Sequence, residues 1–316
     1  MKKHKTPIFR GLSALFAMLL TLSVGAAFIM EANRGEIDGF FNTHSSVVVT
    51  TDDGTLFSAY TPDEAYLNAG KGNSSAIVKA HVDMNTQMSE EGSVLLKNNG
   101  ALPLAKSSKV TLLGIRSSVI LAGSGMGVSA KANQVVQLET ALSEKYSVNP
   151  TMSAAYKKVN ETHKLKNNDR AAASKFNPKE ASLTELEAAS PAYADSFAEY
   201  SDAAIVVVGR PSSEMGDYAP GAAGVDPASG ASTAMELTTD EKAIIELAKS
   251  KFSKVIVLVN TNSPMEIDGL KNDDKISAIL WVGHPGCYGV YGIANILTGE
   301  ANPSGHLYDL DRKSVV

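Results

Sequence analysis

The sequence predicts an α/β fold, an open and mostly parallel sheet flanked by helices (an α/β sandwich), preceded by one N-terminal transmembrane helix. Short, continuous apolar runs recur along the chain, as buried parallel strands require. Amphipathic helical patterns lie between these runs, and one long uncharged segment stands near the N-terminus. With 44% hydrophobic and 20% charged residues, the composition is that of a globular protein and excludes a disordered or fibrous chain.

The uncharged segment comes first. Residues 11–30 contain no charge, and twenty such residues match the ~30 Å hydrocarbon core of a bilayer. Lysines and an arginine precede the segment and acidic residues follow it, which places the N-terminus in the cytoplasm. We therefore predict a single-pass cell-membrane protein with an extracellular globular part. A cleaved signal peptide, which would make the protein secreted, is the competing interpretation because Val24-Gly25-Ala26 offers a small-residue cleavage site; a buried core helix is the third.

The next segment is predicted to be a tether. Residues 45–51 (SSVVVTT) favour a short strand, and residues 70–75 (GKGNSS) a flexible break. Apolar residues at helical spacing then predict a helix over residues 76–91. The expected organisation is a cytoplasmic stub with the membrane segment, a tether with a short strand, a globular domain and a tail, at residues 1–30, 31–75, 76–307 and 308–316.

Four apolar runs supply the predicted strands of the globular domain. They are residues 109–114 (KVTLLG), 203–209 (AAIVVVG), 254–260 (KVIVLVN) and 276–282 (ISAILWV). Thr238 and Glu241 form a capping box before an apolar stripe, and a last helix over residues 288–298 is expected to stop at Gly299. We interpret Trp281 as a core residue. Residues 146–200, rich in Ala, Lys, Glu, Asn and Ser, are expected to hold short helices in a mobile insertion.

Two loops at strand ends carry the candidate site residues. Glu214 and Asp217 lie on a glycine-rich loop after the second predicted strand, and such a loop gives a general acid reach and mobility. A solvated loop carboxylate is the alternative for Glu214. After the first predicted strand, the residues Gly123, Ser124 and Gly125 allow close backbone approach to a neutral polyhydroxyl ligand. A plain glycine-rich turn and phosphate binding remain open there, although neither G-x-G-x-x-G nor a P-loop motif is present.

Composition excludes several partners. Lysine and arginine number 29 against 34 aspartates and glutamates, for a net charge of −5, so the chain lacks the basic excess that nucleic-acid binding requires. The single cysteine, Cys287, excludes an internal disulfide and a cysteine-based metal cluster. The six histidines show no metal-ligand spacing such as H-E-x-x-H. We therefore expect no nucleic acid, no metal and no organic cofactor.

Four segments together resemble the α/β sandwich domain of glycoside hydrolase family 3, the β-glucosidase family, in the family's order. They are residues 91–104 (EGSVLLKNNGALPL), 201–217 (SDAAIVVVGRPSSEMGD), 254–267 (KVIVLVNTNSPMEI) and 278–307 (AILWVGHPGCYGVYGIANILTGEANPSGHL). The resemblance implies hydrolysis of β-linked oligosaccharides or glycosides with retention. It also implies that an Asp nucleophile lies on a separate TIM barrel, while a Glu of the sandwich is the acid/base. Glu214 falls at that position, where the family often reads S-G-E-G and this chain reads S-E-M-G.

The chain departs from the usual family order. A membrane segment directly precedes the sandwich, so the resemblance implies a reversed-order, membrane-anchored member that is truncated before its barrel. Residues 308–316 do not resemble the family's continuation and are interpreted as a non-native tail. On this interpretation the chain supplies Glu214, the missing TIM barrel is its partner, and the chain alone is inactive. The alternative hypothesis is a non-catalytic, membrane-tethered α/β domain that binds carbohydrate or a protein.

Overall fold

A computed structural model describes residues 5–34, 37, 74–123, 135–168, 179–211 and 225–307. The predicted strand at residues 45–51 lies outside these ranges. The chain divides into two compact units, Met1–Asp63 and Glu64–Val316, and each is described by itself.

The first unit contains helix α1 (Lys5–Ala32). Within the described part of the chain, its segment Pro7–Ala32 is the one helix long and apolar enough to cross a membrane. The hydroxyls of Thr21 and Ser23 donate to carbonyls four residues earlier, at 2.9 and 2.8 Å, so these polar groups are satisfied inside the helix. An apolar helix at the N-terminus fits a signal anchor and a signal peptide equally well.

The second unit alternates strands and helices. Its helices are α2 (Ser74–Gly92), α3 (Leu138–Ser143), α4 (Pro150–His163), α5 (Leu183–Ala189), α6 (Thr239–Lys251), α7 (Asp268–Lys271) and α8 (Val290–Thr298). Its strands are β1 (Val94–Asn98), β2 (Lys109–Leu113), β3 (Ser147–Val148), β4 (Ala203–Arg210), β5 (Val255–Thr261) and β6 (Ala278–Trp281). They form one sheet in the order β1-β6-β5-β4-β2-β3, in which β1 is antiparallel to β6 and the other pairs are parallel.

The sheet is covered on both faces, which confirms the predicted fold class. Every residue of β4 and β5 is buried. Along β4, Val206 and Val208 pack into one hydrophobic layer with α4, α5 and α6, whereas Ile205 and Val207 pack into the other with α3 and α8. Because successive strand residues face opposite sides, a strand buried on both faces must be continuously apolar, and this is the pattern that the sequence shows.

The predicted helix boundaries are confirmed where a capping motif marks them. The Thr238 amide donates to the Glu241 carboxylate at 2.8 Å, and the Glu241 amide donates to the Thr238 hydroxyl at 3.2 Å, which closes the capping box that begins α6. Helix α8 ends at Gly299, whose φ of 75° lies in the left-handed region that glycine tolerates. These motifs act over four residues or fewer, so the helix boundaries that they mark can be predicted from the sequence alone.

The interpretation of residues 146–200 as an insertion is wrong for the described residues 146–168 and 179–200. Short helices are present there as predicted, but Met152 and Tyr156 of α4 and Leu186 of α5 are fully buried in the core layer over β4. The apolar residues of α4 recur at helical spacing, and the polar composition of the whole stretch obscured that stripe. Strands β1 and β3 were not predicted, because they are edge strands with few buried residues, one of five in β1 and none of two in β3.

Candidate functional site

A cavity of about 430 Å³ lies where the parallel strands end. It is lined by the segments that directly follow β5 and β6, by the loop after β2, and by the C-terminal half of α2. These residues are Asn85, Met88, Ser89, Gly92, Ser93, Ala122, Gly123, Asn262, Trp281, Val282, Gly283, His284, Pro285 and Gly286. Open α/β sheets bind ligands outside the carboxyl ends of their strands, and this cavity occupies that position.

Asn260, the sixth residue of β5, connects two of the cavity's loops. Its fully buried side chain accepts a hydrogen bond from the Leu121 amide at 2.7 Å and donates to the carbonyls of Leu121 and Gly283, at 3.0 and 2.7 Å. Two residues after Asn260, Asn262 accepts a hydrogen bond from the His284 amide at 3.0 Å. The polar residues at this strand end therefore serve turn structure.

The loop after β6 lies close against α2. Gly286 has a φ of +71°, and its amide donates to the Ala122 carbonyl at 2.8 Å. A Cβ on Gly286 would lie 2.8 Å from the amide of Asn85, whose oxygen accepts a hydrogen bond from the Tyr288 amide. Glycine is therefore required at this position both for its backbone conformation and for the close approach of the helix.

His284 places a histidine ring at the cavity wall. The ring donates a hydrogen bond to the Arg210 carbonyl, while its Nε2 is buried and has no partner among the described residues. The ring nitrogen that bonds Arg210 is therefore Nδ1. Burial, together with the positive charge of Arg116, lowers the pKa of His284 to about 4, against the opposing effect of the bond to Arg210. The ring is thus neutral near pH 7, with an acceptor lone pair on Nε2.

A buried ion pair holds the end of β4. The Arg210 guanidinium is 0% exposed and binds both carboxylate oxygens of Glu241, at 2.5 and 2.8 Å. It also donates to the carbonyls of Ala234 and Glu236 at 2.8 and 2.7 Å, so several of its N–H groups have hydrogen-bond acceptors. The bidentate ion pair fixes the position of Arg210, the last residue of β4, after which the chain continues into residues 212–224.

One of the predicted site residues lies at this cavity. Gly123 lines it, at the start of the glycine-rich loop. Ser124, Gly125, Glu214 and Asp217 lie outside the described residues. Glu214 follows Arg210, the last residue of β4, by four positions in the sequence.

Three further residues that line the cavity, Ser89, Trp281 and His284, were not predicted as site residues. Trp281 is half-buried and lines the cavity while also packing against the core, so its interpretation as a core residue is incomplete. His284 was not among the predicted site residues, although its position three residues beyond a buried strand was a signal for it. Ser89 is 8% exposed, and its hydroxyl has no partner within the described ranges. No local motif marked Ser89, because it stands in an ordinary helical pattern.

A second, polar cavity of about 330 Å³ lies beside α4, α5 and the start of α6. Glu180 lines it, and its carboxylate accepts hydrogen bonds from the amides of Ile115 and Ala181, each at 2.8 Å. Burial, and then the negative charge of Glu241, raise the pKa of Glu180 to about 8. Across the described residues, no three His, Cys, Asp or Glu side chains stand together as metal ligands would.

The comparison with protein families decides the assignment. The Glycosyl hydrolase family 3 C-terminal domain matches residues 93–309. The chain belongs to this family. Two bacterial relatives agree: the chain is 27% identical over 231 residues to a β-glucosidase of Ruminococcus albus and 30% identical over 244 residues to β-glucosidase A of Butyrivibrio fibrisolvens. Each alignment covers 72% of this chain, but only 23% and 28% of those relatives.

Solved structures of family 3 enzymes share the fold. A β-glucosidase from Paenibacillus barengoltzii superposes with a TM-score of 0.59 at 26% identity, over 72% of this chain and 24% of that one. The β-glucosidase 3B of Thermotoga neapolitana in complex with α-D-glucose gives a TM-score of 0.55 at 26% identity, over 72% and 30% of the two chains. The family 3 domain described here therefore spans about a quarter of the length of the proteins that it matches.

Proposed function

We propose that this family 3 domain supplies one wall of a retaining glycoside hydrolase site of the β-glucosidase type. Glu214 is the acid/base in this proposal, and an Asp nucleophile comes from a TIM-barrel domain outside these 316 residues. The observation that supports it best is the cavity at the carboxyl ends of the strands, in a chain whose relatives are β-glucosidases. The substrate is a β-linked glycoside or oligosaccharide.

The end of β4 supports the assignment of Glu214. The Arg210–Glu241 pair anchors that end, and the Arg210 carbonyl holds His284 at the cavity. Four extended residues span at most about 14 Å, so residue 214 is within reach of the cavity from Arg210. Gly123 already lines the cavity, and the proposal assigns Ser124, Gly125 and Asp217 to the same sugar-binding wall.

The proposed chemistry needs two carboxyl groups about 5–5.5 Å apart. The Asp of the barrel attacks the anomeric carbon while protonated Glu214 gives its proton to the leaving oxygen. Ionised Glu214 then takes a proton from the water that releases the sugar. In this proposal Glu214 begins the cycle protonated, because the nearby negative charge of the nucleophile disfavours a second ionised carboxylate.

The test begins with the coding sequence beyond codon 316, where the proposal expects a barrel with an Asp nucleophile. In the protein that contains both domains, Glu214→Ala should lower kcat/KM for phenyl β-glucoside by about 100-fold or more, but should lower kcat/KM for 2,4-dinitrophenyl β-glucoside far less. The reason is that a good leaving group needs no proton. Azide should restore turnover of the activated substrate and give a glycosyl azide, because it needs no base for attack.

The matched control is Glu161→Ala, which removes an exposed glutamate of α4 and should leave both rates unchanged. A Glu214→Ala enzyme that hydrolyses both substrates at the unmodified rate would remove Glu214 from the mechanism. The 316-residue chain alone should turn over neither substrate, since it lacks the nucleophile.

The cavity also favours a second candidate, a membrane-tethered domain that binds carbohydrate without turnover. The described residues that line the cavity all belong to this domain, and in this alternative they hold a sugar without a barrel. This alternative expects saturable sugar binding that Glu214→Ala leaves unchanged, and no barrel in the downstream coding sequence. Binding a protein partner through the same surface is the remaining form of this alternative.

A further inference from the structure

Two polar atoms on residues that line the cavity have no hydrogen-bond partner among the described residues. They are the hydroxyl of Ser89 on α2 and Nε2 of His284 on the loop after β6, and both atoms are buried. Both residues line the cavity of about 430 Å³. Ser89 is only 8% exposed. Leaving a buried polar group unpaired costs about 1–3 kcal/mol, so native proteins rarely retain such a group without a use for it.

The kind of ligand follows from the lining. None of the residues that the structure places around the cavity is Asp, Glu, Lys or Arg. The polar side chains are neutral amides and hydroxyls, together with a histidine whose Nδ1 is committed to the Arg210 carbonyl. Its Nε2 is therefore an acceptor that only a donor can satisfy. Trp281 adds a half-buried aromatic ring to the same wall. A hydroxyl donor on an uncharged ligand fits these groups. None of the described lining residues offers a counter-charge to an ion, and the positive charge of Arg116, which acts on His284, disfavours a cation.

We propose that Ser89 and His284 bind hydroxyl groups of a neutral sugar in this cavity, so that α2 and the loop after β6 form a specificity-determining subsite. His284 Nε2 accepts from one hydroxyl of the sugar, and the Ser89 hydroxyl donates to or accepts from another. Both are positioning residues, since neither is required to transfer a proton. The proposal rests on the proposed function for its ligand class, a glycoside.

The subsite can be tested on the 316-residue chain in detergent micelles, with D-glucose as the probe. Glucose should shift the ¹⁵N resonance of His284 Nε2 and not that of His306, which is exposed. His284→Phe keeps an aromatic ring but removes the acceptor, and Ser89→Ala removes the hydroxyl. Each should weaken glucose binding by about three- to tenfold, the loss expected of one hydrogen bond.

Matched substitutions control for indirect effects. His306→Phe and Ser250→Ala change the same residue types at exposed positions and should leave glucose affinity unchanged. His284→Gln, which puts an amide near the place of Nε2, should keep affinity within about threefold and serves if His284→Phe does not fold. If neither His284 variant folds, the unmodified chain still tests the proposal, because the resonance of its own His284 reports contact with glucose directly.

The proposal is overturned if glucose does not bind, if it binds without moving the His284 resonance, or if both Ser89→Ala and His284→Phe bind it with unchanged affinity. These outcomes are separate from those of the Glu214 experiment. Binding needs neither Glu214 nor a barrel, so the titration can fail while acid/base catalysis by Glu214 stands. Conversely, if Glu214→Ala leaves hydrolysis unchanged, acid/base catalysis by Glu214 is excluded, but the proposed sugar subsite still stands.

Discussion

At the scale of single residues, Glu180 shows how the surroundings of a side chain set its charge. The carboxyl group is 6% exposed and lies near Glu241, and these two conditions favour its neutral form. Hydrogen bonds from the amides of Ile115 and Ala181 and the charge of Arg116 favour the ionised form, but they only partly offset the burial. Glu180 therefore stays largely protonated near neutral pH, although an exposed glutamate would be ionised.

This shift makes the stability of the folded domain depend on pH. The pKa of Glu180 rises from 4.5 to about 8 on folding, so the folded state holds this proton more tightly than the unfolded state. Its contribution to stability is fully present below about pH 4.5 and is lost as pH rises toward about 8. Glutamine stays neutral and keeps an acceptor for the Ile115 amide. As pH rises from about 4.5 to about 8, we therefore expect the free energy of unfolding to fall less for Glu180→Gln than for the unmodified chain.

Urea unfolding followed by the fluorescence of Trp281, the single tryptophan, measures this at a series of pH values. Glu161→Gln changes an exposed glutamate of α4 and should leave the pH profile as it is. Parallel profiles for the unmodified chain and Glu180→Gln would show that Glu180 does not carry the pH dependence.

At the scale of elements, the contact between α2 and α8 depends on a glycine. Gly292 is buried within α8, and a Cβ built there would lie 2.5 Å from the Thr86 carbonyl and 3.0 Å from the Ser89 Cβ, both on α2. Asn295, one turn further along α8, donates to Glu90 at 2.7 Å. Since α2 carries Ser89 to the cavity, this close approach also positions one wall of the proposed subsite.

We expect Gly292→Ala to destabilise the domain by about 1–3 kcal/mol, because the added methyl group forces two packed backbones apart. Gly269→Ala is the matched control: Gly269 is also helical, but a Cβ there meets nothing within 4 Å. Alanine favours helix over glycine, so this control should be neutral or stabilising by up to about 1 kcal/mol. Chemical denaturation measures both. Equal effects of the two substitutions would contradict the packing argument.

At the scale of the whole molecule, α1 contains a segment long and apolar enough to cross a membrane. We propose that α1 is retained as a signal anchor and that the globular part lies outside the cell. When the chain is expressed in bacteria, it should stay with the membrane after alkaline carbonate extraction. Protease added to intact spheroplasts should digest the domain. The reasons are the positive charges within residues 2–10 and the uncharged length of residues 11–30.

Replacing both Leu19 and Leu20 by lysine should release the protein from the membrane, because each charge near the helix centre costs about 2.5–3.5 kcal/mol. A matched replacement by alanine should leave it anchored. A mature product that begins after Ala26 would show cleavage of a signal peptide and would contradict the retained anchor. A soluble cytoplasmic product of the unmodified chain would contradict export altogether.

Much of the fold was readable from the sequence. The runs that became β2, β4, β5 and β6 were predicted within a few residues, and so were the start of α6 and the end of α8. The failures have two causes. Helix α4 carries its buried stripe within a polar segment, whereas β1 and β3 are edge strands with few buried residues, whose pairing depends on neighbours far along the chain. Of the candidate site, the sequence located Gly123 and the strand ends but not Ser89.

By itself, then, the sequence determined the class of fold, the family and the apolar leader segment, because burial on two faces, capping and a membrane-length run are periodic or local properties of a chain. Only the tertiary structure decided that Ser89 and His284, 195 positions apart, line one cavity. It also decided that Glu180 holds a proton near neutral pH. Both facts depend on which distant residues the sheet topology brings together, and on how completely they exclude water.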